Sequence, residues 1–278
     1  MTRLGAWLHE FFLFGCKQAA SCVFAGSFLL LLGLSGHIAL PGIARYDFLF
    51  LAAIAIQILL IAFRVESLRE VAVLSLFHAI GMGLELYKTS PAIHSWSYPG
   101  PAYFRIATVP LYSGFMYAAV ASYVMRAWHL FDLRASRFPP FWLAIGLSVL
   151  IYANFFTNHF MPDLRWPLFV LVAAAFWRTR VHFTVISIER EMPLTLSFAL
   201  IGFFIWVAEN IATFFGAWVY PHQSHGWAIV GPSKITSWTL LVIISVIIVA
   251  ALKGAFPRKA LSAGDEAVVE EGHHAQCP

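Results

Sequence analysis

The sequence predicts an all-α membrane protein with about eight transmembrane helices, arranged as two parallel four-helix repeats. Hydrophobic residues make up 60% of the chain and charged residues only 12%, and the mean hydropathy is +0.76. Soluble domains carry about 25% charged residues, so this composition indicates an integral membrane protein. A polar and aromatic motif that occurs in both halves of the chain, at an offset of about 122 to 124 residues, indicates the repeats.

Eight segments are long and apolar enough to cross a bilayer, which takes about 20 residues of helix. They are residues 18–36, 46–63, 70–88, 106–127, 141–157, 165–179, 193–215 and 234–253. Three arginines crowd the sixth segment, and we expect it to be tilted or partly interfacial. The predicted domains are residues 1–130 for the first repeat, 138–255 for the second, and 256–278 for a disordered cytoplasmic tail.

The distribution of lysine and arginine predicts the orientation, because cytoplasmic loops carry an excess of both. Of the 18 lysines and arginines, all but five fall on one side of the eight-span arrangement. The five on the other side are Arg45, Lys88, Arg105, Arg165 and Lys234. Both termini are therefore predicted to be cytoplasmic. Because each repeat has an even number of spans, the repeats would be parallel and related by a pseudo-twofold axis along the membrane normal, as in some transporters.

The repeated motif combines a glutamate near the end of a predicted helix with aromatic residues in the following loop. Each copy reads E-x3-T and then W-x-Y-P. The first copy contains Glu85, Thr89, Trp96, Tyr98 and Pro99, and the second contains Glu209, Thr213, Trp218, Tyr220 and Pro221. The proline after each tyrosine fixes the chain as it leaves the helix. We therefore expect a shaped loop that caps a cavity.

Glu85 and Glu209 are the first candidate catalytic residues. A carboxylate inside a span costs about 2.5 to 3.5 kcal/mol on insertion scales, so such a residue indicates function. A carboxyl that holds a proton near neutral pH serves as a general acid or as a proton-coupling site. His78 lies two turns before Glu85 on the same helical face and is the third candidate. In the alternative interpretation, water, Lys88 or Lys234 satisfies the glutamates at headgroup level, and His78 is a packing residue.

Side chains beside the two glutamates are the candidate substrate-binding residues. They are Trp96, Tyr98, Asn210, Thr213, Trp218 and Tyr220. Tryptophan and tyrosine also concentrate at membrane interfaces, so an aromatic belt is the alternative interpretation. The fixed distance of these residues from each glutamate favours a site, since a belt would not require it.

The sequence predicts no cofactor and no metal centre. Cys16, Cys22 and Cys277 form no C-x2-C pair. His222 and His225 form an H-x2-H pattern, which alone is too weak to assign a metal, and that question stays open. The net charge of +4 follows from membrane topology. Nucleic acid is therefore not an expected partner, membrane lipids are, and the oligomeric state stays open.

Four sequence strings carry a family resemblance. They are residues 45–49 (RYDFL), 96–99 (WSYP), 109–117 (VPLYSGFMY) and 206–218 (WVAENIATFFGAW). They resemble the YoaT-like bacterial membrane proteins, domain-of-unknown-function family 817 (DUF817), over roughly residues 10 to 253. The resemblance implies a bacterial multi-pass inner-membrane protein and supplies no reaction.

A fainter resemblance is to the membrane carotenoid hydratases and the small lycopene cyclase domains. Glu209, Thr213, Gly216 and Trp218 carry it. It implies hydration or isomerisation of an isoprenoid double bond, with Glu85 or Glu209 as proton donor and aromatic faces stabilising a carbocation. Tyr112 and Ser113 stand where the cyclase domains have paired acidic residues, which counts against cyclase activity.

Three classes of function therefore fit the sequence. The first is a membrane enzyme that acts on a lipid or isoprenoid by acid catalysis. The second is a proton-coupled transporter of a small solute, which parallel repeats and protonatable side chains also suit. The third is a non-catalytic membrane scaffold.

Overall fold

The computed structural model describes residues 3–38 and 41–252, and these are mostly helical. The predicted tail 256–278, together with Lys253 and Cys277, lies outside the described residues. The helices are α1 (Arg3–Ser21), α2 (Val23–Ser35), α3 (Arg45–Ala62), α4 (Leu68–Lys88), α5 (Ser113–Leu130), α6 (Phe141–Thr157), α7 (Arg165–Ala175), α8 (Leu194–Phe214) and α9 (Ser233–Leu252). The strands are β1 (Arg105–Ile106), β2 (Val109–Pro110), β3 (Arg134–Ser136), β4 (Arg180–Thr184) and β5 (Glu189–Pro193).

Within the described residues, four helices are long and apolar enough to cross a membrane: α3, α4, α8 and α9. A fifth span results if α1 and α2, which meet at 70°, are taken as one bent span. The helix at the predicted sixth span, α7, has only 11 residues. It rises about 16 Å, roughly half of the hydrocarbon thickness of a bilayer. A helix therefore lies at each of the eight predicted segments, while the number of candidate membrane spans is four or five.

Two helix pairs pack most closely, α4 with α5 and α8 with α9. A glycine permits each close approach. A Cβ atom on Gly81 of α4 would lie 2.4 Å from the Tyr117 ring of α5, and one on Gly202 of α8 would lie 2.3 Å from Thr239 of α9. Helix α9 is the central helix of the bundle, since 61% of its apolar window is buried, against 22 to 33% for the other three candidate spans.

One end of the bundle carries a small β-sheet, and we call it the sheet end (residues 131–140 and 176–193, with α1). Strands β3, β4 and β5 pair antiparallel in that order. Helix α1 is fixed to the sheet because Arg190 binds Glu10 at 2.8 Å and the Lys17 ammonium donates to the Thr184 carbonyl. The side of α1 that faces away is apolar and exposed, with Leu8, Phe11 and Phe12 on it.

The other end, which we call the motif end (residues 89–112, 158–164 and 215–232), holds both W-x-Y-P motifs. Asp47, at the start of α3, is 2% exposed, and its carboxylate accepts hydrogen bonds from the backbone N–H groups of Tyr103 and Phe104. The Arg45 guanidinium donates to the Phe215 carbonyl at 2.6 Å, where α8 ends. Residues of the first half therefore hold the loops of both halves in place.

Candidate functional site

The two W-x-Y-P motifs pair with each other at the motif end. Ser97 and Val219, which stand between the tryptophan and the tyrosine of each motif, form an antiparallel bridge. Each donates its N–H to the carbonyl of the other at 2.9 Å. Because each residue plays the same part toward its partner, the bridge has local twofold symmetry, as a self-complementary contact between related subunits would have.

Glu85 lies beneath the first motif and is 2% exposed. Its Oε2 accepts hydrogen bonds from Trp96 Nε1 at 2.8 Å and from the Tyr98 hydroxyl at 2.7 Å. Its Oε1 accepts one from the Tyr117 hydroxyl of α5 at 2.8 Å. The carboxylate is thus surrounded by donors from its own motif and from the neighbouring helix. The structure brings Glu85, Trp96 and Tyr98 together in one hydrogen-bonded cluster.

Glu209 lies beneath the second motif and is also 2% exposed. Its Oε1 accepts a hydrogen bond from the Tyr220 hydroxyl at 2.5 Å, and its Oε2 accepts one from Trp238 Nε1 of α9 at 2.8 Å. We call each buried glutamate, together with the side chains that donate hydrogen bonds to it, a carboxyl centre. In each centre the glutamate accepts hydrogen bonds from a tyrosine of the motif and from an aromatic residue of the next helix. Trp218 does not take the place that Trp96 has in the first centre. It is buried close to the Tyr220 hydroxyl instead.

A lysine lies between the two centres. The Lys234 ammonium is 4.6 Å from the centre of the Tyr220 ring and 5.5 Å from the centre of the Trp96 ring. Both distances suit a cation–π interaction. Among the described residues, no lysine or arginine nitrogen lies within 4.0 Å of the Glu85 or Glu209 carboxylate. The Lys88 ammonium donates to Asn158 Oδ1, so neither lysine makes the ion pair considered from the sequence.

Burial keeps the two motif tyrosines in their hydroxyl form. Desolvation raises the pKa of Tyr98 well above its usual value, and the neighbouring Glu85 carboxylate raises it further. Desolvation and Glu209 act in the same way on the pKa of Tyr220. Both side chains therefore keep a hydroxyl that can donate or accept a hydrogen bond at neutral pH.

Asn210 and Thr213 shape the second loop, and their polar atoms are used inside the protein. Asn210 Oδ1 accepts a hydrogen bond from the Val230 N–H at 2.8 Å, and its amide donates to the Trp206 carbonyl. Thr213 Oγ1 donates to the Asn210 carbonyl and accepts from Trp227 Nε1. These contacts hold residues 227–230 against α8. Whether any of the six predicted residues binds a substrate stays a prediction.

His78 stands apart from the carboxylate centres. It is seven residues before Glu85 on α4, about 10 Å along the helix axis. Its ring packs against Phe115 with centres 4.7 Å apart, and it lies so close to Gly114 that a Cβ there would be 2.7 Å from the imidazole. His78 Nδ1 is buried without a hydrogen-bond partner among the described residues. The ring is thus a packing residue of the α4–α5 contact in this structure.

Sequence reasoning missed two members of the site, Tyr117 and Trp238, and it considered Lys234 only as a partner that could satisfy the glutamates. Tyr117 and Trp238 hold equivalent places in the two centres, and they are separated by about the repeat offset. Applying that offset to the helices after each motif, as well as to the motifs, would have found both. Lys234 has no such signal, because Tyr112 and Ser113 stand near the matching place in the first half.

A cavity of about 130 Å³ lies at the sheet end, between α1, α5, α8, α9 and the sheet. Aromatic side chains line much of it, including Phe14, Trp128 and Phe198, and polar groups on its wall include Gln18 and Ser197. This volume is close to that of engineered apolar cavities that bind a benzene-sized ligand. Ile201 on its wall is eight residues from Glu209, about 12 Å along α8. The cavity and the carboxylates are therefore separate.

The histidine pair at the motif end gives no sign of a metal site in this structure. The His222 ring stacks on Tyr220 with centres 5.7 Å apart. In the part of the chain that the structure describes, no three His, Cys, Asp or Glu residues are grouped as metal ligands would be.

Comparisons with known proteins agree with one of the two resemblances found in the sequence. The family model described as "Protein of unknown function (DUF817)" matches residues 10–246. The chain is 48% identical over 240 residues to "Uncharacterized protein YoaT" of Bacillus subtilis (strain 168), which covers 86% of this chain and 90% of that protein. No solved structure matches the chain.

Proposed function

The chain belongs to the DUF817 family of proteins of unknown function, and we propose that it is a membrane carrier that couples proton binding at Glu85 and Glu209 to the movement of a small apolar or amphipathic solute. The observation that carries the proposal is the hydrogen bonding of the two carboxyls. In each, one oxygen accepts from a tryptophan N–H and the other faces a tyrosine hydroxyl.

This arrangement can satisfy a carboxyl with or without a proton. An indole N–H can only donate, so it fixes one oxygen as an acceptor in both states. A tyrosine hydroxyl can reverse, donating to the carboxylate and accepting from the protonated acid. Protonation at Oε1 of Glu85 or of Glu209 would therefore turn the Tyr117 or the Tyr220 hydroxyl around, and each carboxyl oxygen would keep a hydrogen-bond partner. With no cation at ion-pair distance, each centre can gain or lose a proton without breaking a salt bridge.

The proposal includes an architecture of two parallel repeats, residues 1–130 and 138–255, with α2–α9 as eight spans. Its support is the symmetric Ser97–Val219 bridge, the two glycine contacts at Gly81 and Gly202, and the matching order of helices in both halves. The sheet end would face the cytoplasm, with both termini, because most lysines and arginines lie there. In a bacterium this membrane would be the inner membrane.

The positions of the bridge and the cavity suit one state of an alternating-access carrier. At the motif end, the bridge joins the loops that follow the two buried glutamates. At the sheet end, the apolar cavity lies between helices α5, α8 and α9. The structure would thus be closed toward the outside, and the Glu85 and Glu209 protons would bias the opening of the motif end.

A membrane enzyme is the weaker candidate, for two reasons. A substrate could receive a proton from Glu85 or Glu209 only after one of the hydrogen bonds to the carboxyl is broken. The aromatic faces expected to stabilise a carbocation, Trp96 and Tyr220, already face the Lys234 ammonium. The likeness to carotenoid enzymes stays a prediction, as does a role for His78.

The decisive experiment measures the distance between spin labels on Ala92 and Ser224, which lie exposed in the two loops of the motif end. We expect one short distance at pH 8 and a second, longer one at pH 5. The Glu85→Gln, Glu209→Gln double variant, which resembles the protonated state, should show the longer distance at pH 8. The control is Glu191→Gln, an exposed acid of the sheet end. If the distance between the two labels changes neither with pH nor in the double variant, the carrier proposal is refuted.

A second measurement separates the enzyme from the carrier and the scaffold. Lipid and pigment extracts would be compared from a deletion strain, the complemented strain and the strain with the double variant. Loss of a product that differs from its precursor by water or by isomerisation, in both the deletion and the variant, would establish the enzyme instead. Matching extracts, together with a distance that responds to pH, support the carrier. Matching extracts with an unresponsive distance leave the scaffold.

A further inference from the structure

Three arginines at the sheet end have no acidic partner among the described residues: Arg137, Arg178 and Arg180. The acids of the sheet lie beside other groups: Glu189 binds Arg134 at 2.6 Å and lies 3.2 Å from His182, and Glu191 lies 3.9 Å from His182. The Thr179 hydroxyl donates to the Arg137 carbonyl, which brings the three arginines into one region. This region therefore carries positive charge that acidic side chains in residues 3–38 and 41–252 do not neutralise.

A shallow groove lies within this region. It is lined by Trp177, Arg180, Pro193, Thr195 and Leu196. Successive residues of a strand point to opposite faces, and accordingly Arg180 of β4 lines this groove while Val181 lines the apolar cavity on the other side. The Trp177 side chain is 73% exposed and Leu196 is 48% exposed. The groove thus combines one cation and one hydroxyl with an apolar surface open to the surroundings.

We propose that this groove binds the headgroup of an anionic phospholipid. Arginine matches the geometry of a phosphate through two parallel N–H groups, and the Thr195 hydroxyl adds a donor. Tryptophan prefers the level of the headgroups, where Trp177 would mark the membrane surface. Leu196 would contact the first part of an acyl chain. Basic pockets at the cytoplasmic ends of membrane helices bind anionic headgroups in this way.

The apolar surface distinguishes a lipid from free phosphate as the occupant. Inorganic phosphate would use Arg180 and Thr195 only, and it would leave Trp177 and Leu196 exposed to water. A phospholipid uses all four side chains. The site does not depend on the carrier proposal, because its residues are far from both carboxyl centres along α8.

The test is a titration of the purified full-length protein in detergent, with bound lipid counted by native mass spectrometry. Phosphatidylglycerol should bind more tightly than phosphatidylcholine. Loss of one arginine beside a lipid headgroup should weaken binding about fivefold or more, so Arg180→Gln should lose phosphatidylglycerol to at least that extent. Arg69→Gln is the matched control, because Arg69 is an exposed arginine of α4, outside the groove. It should change the affinity less than twofold.

Three results would overturn the site. They are equal affinity for the two lipids, an equal effect of Arg180→Gln and Arg69→Gln, and displacement of phosphatidylglycerol by inorganic phosphate. Each variant must elute as the wild type does from size exclusion and give the same circular dichroism spectrum. If Arg180→Gln fails either of these folding checks, the Arg180→Lys variant is used in its place. That variant keeps the charge, loses the paired N–H groups, and should bind with reduced affinity.

Discussion

The Trp96 ring meets the Tyr220 ring edge-on, with centres 6.0 Å apart. Trp96 donates to Glu85 and Tyr220 donates to Glu209, so the groups that hold the two buried carboxyls are themselves in contact. Lys234 lies over both rings. A change of charge at one carboxyl can therefore reach the other through a direct contact of side chains, and the two centres form one unit.

The Ser97–Val219 bridge predicts a disulfide between the two halves. Residues that exchange both backbone hydrogen bonds lie about 5.5 Å apart at Cα, which suits a disulfide. With Cys16, Cys22 and Cys277 replaced by serine, a Ser97→Cys, Val219→Cys variant should cross-link under mild oxidation. Mass spectrometry of a digest would identify the linked peptides.

The control for this cross-link is a Ser95→Cys, Val219→Cys variant. Two residues along an extended chain add about 6.6 Å, which takes the pair beyond disulfide reach. Equal yields from both pairs would mean that the motif end is not held by this bridge.

Local patterns in the sequence predicted helices at eight segments and singled out the two glutamates, but they gave neither α1 as a separate helix nor the partners that reach the glutamates from other helices. Long apolar segments predict helices without knowledge of their neighbours, so a helix lies at every predicted segment. The E-x3-T and W-x-Y-P motifs likewise place Glu85 and Tyr98 within one short stretch of the sequence. Tyr117 and Trp238 reach the carboxylates from other helices, and such contacts depend on tertiary packing, which local patterns do not record.

The sheet end was not predicted because its elements are short. Strands β4 and β5 have five residues each, and polar residues dominate β5, so neither produces the long apolar signal that marks a span. The 70° bend between α1 and α2 was missed for a related reason. Residues 18–36 contain no charged side chain, and composition does not show where a helix changes direction.

Loss of the Trp238 N–H should destabilise the protein. In a Trp238→Phe variant, Glu209 Oε2 loses the donor seen at 2.8 Å. An unpaired buried acceptor costs about 1 to 3 kcal/mol, so we expect a clear fall in the thermal unfolding temperature in detergent. Trp142→Phe is the control, because Trp142 is 73% exposed. If the two variants unfold at the same temperature, the hydrogen bond from Trp238 to Glu209 does not contribute to stability.

The glycine contact between α8 and α9 should not tolerate a methyl group. In Gly202→Ala the new Cβ would lie 2.8 Å from the Thr239 backbone nitrogen, which cannot move aside as a flexible side chain would. Overpacking of this kind costs about 1 to 3 kcal/mol. Gly146→Ala on α6 meets nothing within 4 Å, so it should be neutral or stabilise its helix by up to about 1 kcal/mol. Unfolding temperatures of the two variants would test the difference, and a stable Gly202→Ala would contradict the close packing.

Stability should fall at alkaline pH because of Tyr98 and Tyr220. Burial raises the pKa of both hydroxyls well above that of an unfolded tyrosine, which is about 10. A group whose folded pKa is raised contributes stability that is fully present below the unfolded pKa and is lost as the pH rises through the folded pKa. Unfolding temperatures should therefore hold steady from pH 8 to about pH 10 and decline above it, and the decline should be shallower in the Tyr98→Phe, Tyr220→Phe double variant. A parallel decline in both proteins would exclude these two hydroxyls as its cause.

The proposed orientation predicts which loops a membrane-impermeant thiol reagent reaches in intact cells. Ala92 lies exposed at the motif end and Ser187 lies exposed in the turn between β4 and β5 at the sheet end. In a background without the native cysteines, Ala92→Cys should be labelled from outside, while Ser187→Cys should be labelled only after the cells are opened. The reason is the excess of arginine around the sheet, which keeps such loops in the cytoplasm. The opposite pattern would invert the protein in the membrane. Labelling of both sites from outside would require an even number of spans between them, instead of the three (α5, α6 and α7) of the proposed arrangement, and would rule out the two-repeat topology.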